Sequence, residues 1–195
     1  MIKAFNDFDK VKGYTEGNQL PKGGYVLKVM GVETCTNSAG DYLKIACDVA
    51  EGEHMDHFAN DYRSQQSENK KWRCNYLLSL PKDDGSERDG WTKRTFKTFT
   101  EALEDSNEGY HFDWDETKFK GKLIGGLFNE REFLKSDGTV GRYINLARIT
   151  TAENIRQGKY KLPGDKVLDG AARPAGAAID GFVNVPDADL DELPF

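Results

Sequence analysis

Apolar and polar side chains alternate without a break from residue 42 to residue 49, a period typical of a strand with one buried face. The preceding residues 25–32 are rich in β-branched and apolar types, and Asn-Ser-Ala-Gly-Asp at 37–41 supplies the residues of a tight turn. The pattern therefore predicts an antiparallel pair of strands over 24–50. In the second strand of this pair, the predicted buried face is formed by Leu43, Ile45, Cys47 and Val49.

Four further runs are candidate strands, at 58–62, 75–80, 122–133 and 142–149. Ahead of the runs at 122–133 and 142–149, the spacing of apolar residues changes to that of a helix. It predicts a helix over 95–106, whose apolar face is formed by Phe96, Phe99, Ala102 and Leu103. With 58–62 and 75–80 counted as one or two strands, the order predicts a mainly β fold, a five-stranded barrel with one helix between strands 3 and 4. This is the oligonucleotide/oligosaccharide-binding (OB) arrangement. A segregated α+β fold is the less specific alternative.

Changes in composition divide the chain into four parts. Residues 1–19 are polar with scattered aromatic residues and are predicted to form an N-terminal arm, and 20–162 form the OB-like domain. Residues 163–186 are dominated by Gly, Ala, Pro and Asp, which cannot bury enough apolar surface to fold, so we expect a disordered linker. Residues 187–195 form an acidic tip.

The charge of the chain is unevenly distributed. The net charge is −6, but 158–195 alone contribute −3, which leaves 23 basic against 26 acidic residues in 1–157. No apolar run approaches the length of a membrane-spanning helix, and 1–7 lack the features of a secretory signal. The three cysteines match neither a disulfide set nor a zinc spacing. We expect a cytoplasmic protein that does not associate with membranes.

Basic and aromatic residues occur together in three segments, and a cationic groove with aromatic platforms is what single-stranded nucleic acid requires. The first segment, 62–73, contains Trp72 within a polar run, which makes it the leading candidate for a stacking platform. The other two segments are 91–97 and the predicted hairpin that joins the last two strands, and we expect all three to converge on one side of the barrel. The predicted nucleic-acid site comprises Tyr42, Lys44, Tyr62, Arg63, Lys70, Lys71, Trp72, Arg73, Trp91, Lys93, Arg94, Arg131, Lys135, Arg142 and Tyr143.

The last nine residues combine four carboxylates with an apolar end that bears the terminal carboxylate. A flexible acidic segment of this kind suits capture by a partner protein, whose pocket takes the terminal ring while basic side chains pair with the carboxylates. The predicted partner-binding residues are Asp187, Asp189, Asp191, Glu192, Leu193, Pro194 and Phe195.

This tail, after a Gly/Pro-rich linker and a candidate OB barrel, resembles that of bacterial-type single-stranded DNA-binding proteins. In that family the acidic tip recruits replication, recombination and repair enzymes. The segments at 68–72, 81–86 and 109–116 also resemble proteins encoded by phages and prophages of Gram-positive bacteria, over roughly residues 5–165. The resemblance implies a single-stranded DNA-binding protein without strong sequence preference that acts in phage replication or recombination. Because proteins with this function often assemble several barrels, a homo-oligomer is one of the expected assemblies.

Several alternatives stay open. The chain is also consistent with a phage interaction protein that modulates a host enzyme without binding DNA and uses its acidic end to mimic DNA. A metal-dependent nuclease would use Asp113, Asp115 and Glu116, whereas His54 and His57 lack a helical pattern and are favoured as surface histidines. We expect neither catalysis nor a cofactor, because the sequence contains no phosphate-binding glycine loop and no nucleophile elbow. The acidic tail is also expected to compete with DNA for the basic groove.

Overall fold

The computed structural model describes residues 19–168 of the chain. The regular elements run in the order strand, strand, helix, strand, helix, strand, strand, helix, with a short 3-10 helix at Glu116–Phe119 before the fourth strand. The elements are β1 (Gly23–Asn37), β2 (Gly40–Val49), α1 (His57–Ser64), β3 (Asn75–Ser79), α2 (Glu87–Asp105), β4 (Leu123–Leu134), β5 (Val140–Thr150) and α3 (Ala152–Arg156).

The five strands form one antiparallel sheet in the order β3-β2-β1-β4-β5. The long strand β1 is shared, since Leu27 lies opposite both Val49 of β2 and Ile124 of β4. A bulge between Val29 and Gly31 interrupts the register of β1 with β2. The predicted mainly β, OB-like fold is confirmed, with α2 following β3 as expected. The sheet does not close completely, because β3 and β5 are its two edges.

The alternation that predicted β2 is borne out by burial. Leu43, Ile45, Cys47 and Val49 are at most 3% exposed. They contribute to a core that the sheet shares with one face of α2, on which Phe99 and Leu103 are buried. Burial of this apolar surface is the main contribution that holds α2 against the sheet.

Two helices differ from the prediction. Residues 58–62, expected as a strand, belong to α1, because the buried carboxylate of Asp48 accepts hydrogen bonds from the N–H groups of Phe58 and Ala59 at 2.9 and 3.0 Å and fixes the first turn. The helix expected over 95–106 begins at Glu87, where the Ser86 side chain accepts from Asp89 N. The 91–97 cluster therefore lies on a helix and not on a loop.

The folded domain also extends beyond residue 162, the predicted boundary. The backbone of Lys166 pairs with β4, donating to Glu130 O at 2.9 Å and accepting from Glu132 N at 2.8 Å. The buried Asn129 donates to Gly164 O at 2.6 Å. Residues 163–168, predicted as the start of a disordered linker, therefore form a strap along β4, because they satisfy backbone groups that β1 leaves unpaired.

The other predictions for the two ends of the chain lie outside the described residues. These are the arm, except for residue 19, the remainder of the linker from 169 to 186, and the acidic tip. Between residues 19 and 168, no helix is both long enough and apolar enough to cross a membrane.

Candidate nucleic-acid interface

A groove of about 1050 Å³ lies between the two edge strands of the sheet, where the barrel stays open. Its walls come from β3, β5, the first half of α2 and the turn between β1 and β2. Lys166 of the strap also lines it. The incomplete closure of the sheet therefore creates this groove.

Four of the predicted nucleic-acid residues line this groove: Tyr42, Trp91, Arg131 and Tyr143. They come from β2, α2, β4 and β5, and strand register accounts for the last two, since Arg131 lies directly opposite Tyr143. Lys44 lies two residues from Tyr42 on the same face of β2, opposite the groove residue Leu77. Three aromatic rings and a guanidinium from distant parts of the sequence thus meet in one groove.

Trp91 is the most open ring of this set, with 64% of the residue exposed. The guanidinium of Arg94 lies 5.8 Å from the centre of its indole ring, one turn further along α2. Lys93 is engaged differently, because its ammonium pairs with Asp83 at 2.5 Å and with the buried Asp89 at 2.8 Å. Trp91 and Arg94 are therefore available to a ligand, whereas Lys93 stabilises the start of the helix.

The groove carries charges of both signs. Its carboxylates include Asp84 and Asp89, whose pKa values are lowered by hydrogen bonds from Ser86 and Lys93, respectively, so both stay ionised. Its cations include Lys82, Arg131 and Lys166, none of which pairs with a carboxylate within the described part of the chain. These three side chains are the groove's free positive charges.

The basic segment 62–73 lies outside the groove and is held by its own contacts. Arg73 pairs with Asp61 at 2.9 Å, and Lys70 donates to Arg63 O at 3.2 Å and lies 5.8 Å from the ring centre of Tyr62. The side chain of Lys71 is exposed, and its backbone pairs with Gln65. The segment reaches one end of the groove, because Asn75 on the groove wall donates to Trp72 O at 2.7 Å.

Trp72 itself is half-buried and packs against the core. Its indole Nε1–H donates to the backbone oxygen of Cys47 at 2.9 Å, and its ring lies 5.8 Å from that of Tyr62. Trp72, the leading candidate from the sequence, is thus anchored to β2, whereas Trp91 is the tryptophan that lines the groove.

Arg142 and Lys135 do not join the groove residues. Neighbouring residues of a strand point to opposite faces, so Arg142 lies on the other side of β5 from Tyr143. There its guanidinium pairs with the buried carboxylate of Glu132 at 3.1 Å. Lys135 lies in the turn of the same hairpin, where its N–H donates to Thr139 O, and it is not among the residues that line the groove. The three predicted clusters therefore converge only in part.

The alternative metal sites have other roles in the structure. Lys118 pairs with both Asp113 and Asp115, and Asp115 accepts from Thr117 N at 3.1 Å as the cap of the 3-10 helix. The rings of His54 and His57 are nearly perpendicular in a T-shaped contact, with 6.3 Å between their centroids. Over residues 19–168, no group of three or more His, Cys, Asp or Glu side chains is arranged to hold a metal ion.

Three cations that line the groove, Lys82, Arg88 and Lys166, were missed by the sequence reasoning. Lys82 lies in a predicted turn, and its side chain covers Gly40, where a Cβ would lie 2.6 Å from the lysine Cε. Lys166 reaches the groove through a parallel bridge to Arg131. No local pattern in the sequence signals such a bridge between residues 35 positions apart.

No protein-family model matches the chain, and no curated protein matches it.

Proposed function

We propose that the chain binds single-stranded DNA in the groove between β3 and β5. The observation that supports this proposal is the meeting of Tyr42, Trp91 and Tyr143 with Arg131 in one open groove. Aromatic side chains stack on bases of any sequence, and each stacked base contributes roughly 1–3 kcal/mol. The proposed binding is therefore tolerant of sequence.

The free cations set the expected dependence on salt. Lys82, Arg131 and Lys166 are placed to contact about three phosphates. For single strands the slope of log Kobs against log salt is about −0.7 per phosphate, so the groove predicts a slope near −2. Contacts from the basic segment 62–73 would make the slope steeper.

The strap supports the second part of the proposal, which concerns partner recruitment. Leu168 N donates to Glu132 Oε2 at 3.3 Å, so the chain leaves the domain beside β4, close to the groove residues Arg131 and Lys166. The acidic tip at 187–195 then recruits replication or recombination proteins of a phage and, before DNA is bound, competes for the same cations. This follows the resemblance of the tail and the opposite charges of tail and groove.

A fluorescence anisotropy titration with labelled oligo(dT) and a matched duplex, across a salt series, tests the proposal. We expect single strands to bind more tightly and Trp91→Ala to lower their affinity about 5- to 150-fold. Trp114→Ala is the matched control, because Trp114 is 82% exposed and lies outside the groove. Equal loss in the two variants, or a preference for duplex, would refute the groove as the site.

A second function is favoured by the mixed charges of the groove. Asp41, Asp84, Glu87 and Asp89 line it together with the cations, a balance that also suits a polypeptide. A phage protein that modulates a host enzyme without binding DNA would use the groove in this way. Absence of oligo(dT) binding at low salt, with the fold intact, selects this function over the first.

A further inference from the structure

Trp114 is the most exposed large apolar side chain reported for residues 19–168, at 82%. Its backbone has a φ of +68°, in the left-handed region that residues other than glycine rarely adopt. Such a conformation costs on the order of 1–3 kcal/mol and persists only where the surroundings impose it. The loop thus holds an unfavourable backbone conformation while it presents an indole to solvent.

The neighbouring contacts fix this loop without any partner. Phe112 N donates to Glu104 Oε1 at 2.6 Å, which ties the loop to the end of α2. On the other side of Trp114, Asp115 caps the 3-10 helix and Lys118 bridges Asp113 and Asp115. The indole is therefore held in place in the free protein, so a ligand would meet a surface that is already ordered.

The rings of Phe96, Phe112 and Trp114 together form a surface that we call the Trp114 surface. The ring of Phe96 lies nearly parallel to the indole, at 12° and 6.3 Å between centroids, and Phe112 lies 5.3 Å away. Phe112 in turn contacts the buried Phe119 at 5.5 Å. One face of the indole is thus supported by rings that reach the core, and the opposite face is open to solvent.

The segment 96–118, which contains the three rings of the Trp114 surface, is acidic, whereas the part of α2 before it also contains Arg88, Lys93 and Arg94. Residues 96–118 contain seven carboxylates and two lysines. Both lysines are already paired, Lys97 with Glu101 at 3.5 Å and Lys118 with Asp113 and Asp115. The pKa of the Tyr110 phenol is raised, mainly by burial and then by the negative charges of Asp113 and Glu104.

We propose that the Trp114 surface binds a basic segment of a partner protein, with an arginine or lysine side chain stacked on the open face of the indole. Tryptophan is the best aromatic partner of a cation, and the surrounding carboxylates add long-range attraction for a positive chain. The same carboxylates repel a polyanion, which separates this surface from the groove. The contact is distinct from recruitment through the tail, which requires a basic pocket on the partner.

The test uses the full chain labelled with ¹⁵N on tryptophan, because the indole N–H signals of Trp72, Trp91 and Trp114 report on three places. The probes are a nonapeptide of alternating arginine and glycine, its analogue with glutamine for arginine, and oligo(dT). We expect the arginine peptide to shift the Trp114 signal saturably and the glutamine peptide to leave it in place. Oligo(dT) should shift Trp91 and leave Trp114 unchanged.

A second measurement follows the backbone amides of 112–116 in uniformly labelled protein. Trp114→Ala should weaken binding of the arginine peptide at these amides about two- to fivefold, the effect of losing one cation–π contact at an exposed site. Trp91→Ala should change it less than twofold. The proposal is wrong if the two peptides act alike, if both variants lose the same affinity, or if oligo(dT) shifts Trp114 together with Trp91. Failure of oligo(dT) to shift Trp91 would instead count against DNA binding in the groove.

Discussion

Replacing Trp72 with Phe separates a structural role of this ring from a role in DNA binding. In the structure its Nε1–H donates to Cys47 O at 2.9 Å, and Cys47 is 1% exposed. The substitution keeps an aromatic ring against the core but removes the donor. Loss of one partner from a buried polar group costs about 1–3 kcal/mol, so the free energy of unfolding should fall by this amount.

The expected change is measurable by two assays. For a domain of this size, 1 kcal/mol lowers Tm by about 2–4 °C, so thermal unfolding followed by circular dichroism should show a decrease of at least about 2 °C. Urea unfolding should give a lower midpoint with an unchanged slope. In an anisotropy titration, the affinity for oligo(dT) should stay within about twofold of the unchanged protein, since Trp72 lies outside the groove lining.

Trp91→Phe is the matched control because it makes the same chemical change at a ring that is 64% exposed. Its indole N–H donates no hydrogen bond to any of the residues from 19 to 168, so stability should stay unchanged. The reasoning is refuted if Trp72→Phe leaves Tm unchanged and lowers oligo(dT) affinity fivefold or more. Trp72 would then be the platform that its polar sequence neighbours suggested.

The remaining predictions concern pH and the strap. Burial lowers the pKa of His57 from its ordinary 6.5, so the unfolded chain binds more protons and stability should fall as the pH drops below 6.5. His57→Gln should flatten the urea midpoint between about pH 5 and 6.5 relative to the unchanged protein, and a slope that persists would contradict this. Among truncations, a chain ending at 168 should keep its stability. One ending at 162 should lose about 2 kcal/mol or more, because the Asn129 side-chain amide and the Glu132 backbone N–H lose their acceptors, Gly164 O and Lys166 O. A chain ending at 186 should keep or gain DNA affinity and lose partner recruitment, and a large loss of affinity would contradict competition by the tip.

The sequence predicted those parts of the fold that are determined by a local repeat of apolar and polar residues. The strict alternation over 42–49 leaves only one face for the core, and burial follows it residue by residue. Residues 58–62 are too short a run for either period to decide, and their helix depends on the carboxylate of Asp48, ten residues earlier. A contact of that kind leaves no trace in the local pattern.

The sequence predicted the kinds of residue in the candidate site, aromatic and basic, but not which particular residues line it. Residue types identified the rings and cations, yet which of them face the groove depends on strand register and helix phase. Tyr143 and Arg142 are neighbours in sequence and lie on opposite faces of β5. Trp72 has polar neighbours on both sides, but the oxygen that its indole meets belongs to Cys47, 25 residues earlier. Exposure of an aromatic residue thus follows from the partner that tertiary structure brings to it.

The net charge of −6 is a poor guide to partners because the two surfaces differ in their charges. The groove combines four carboxylates with cations, three of which have no carboxylate partner in the described structure, whereas the segment around Trp114 has seven carboxylates and two paired lysines. Screening reduces interactions beyond about 8–10 Å at physiological salt, so each ligand responds mainly to the charges near its own surface. Under the two proposals, oligo(dT) and the arginine peptide bind the same molecule together. Mutual exclusion between them, at a salt concentration where they do not bind each other, would show that a single surface serves both.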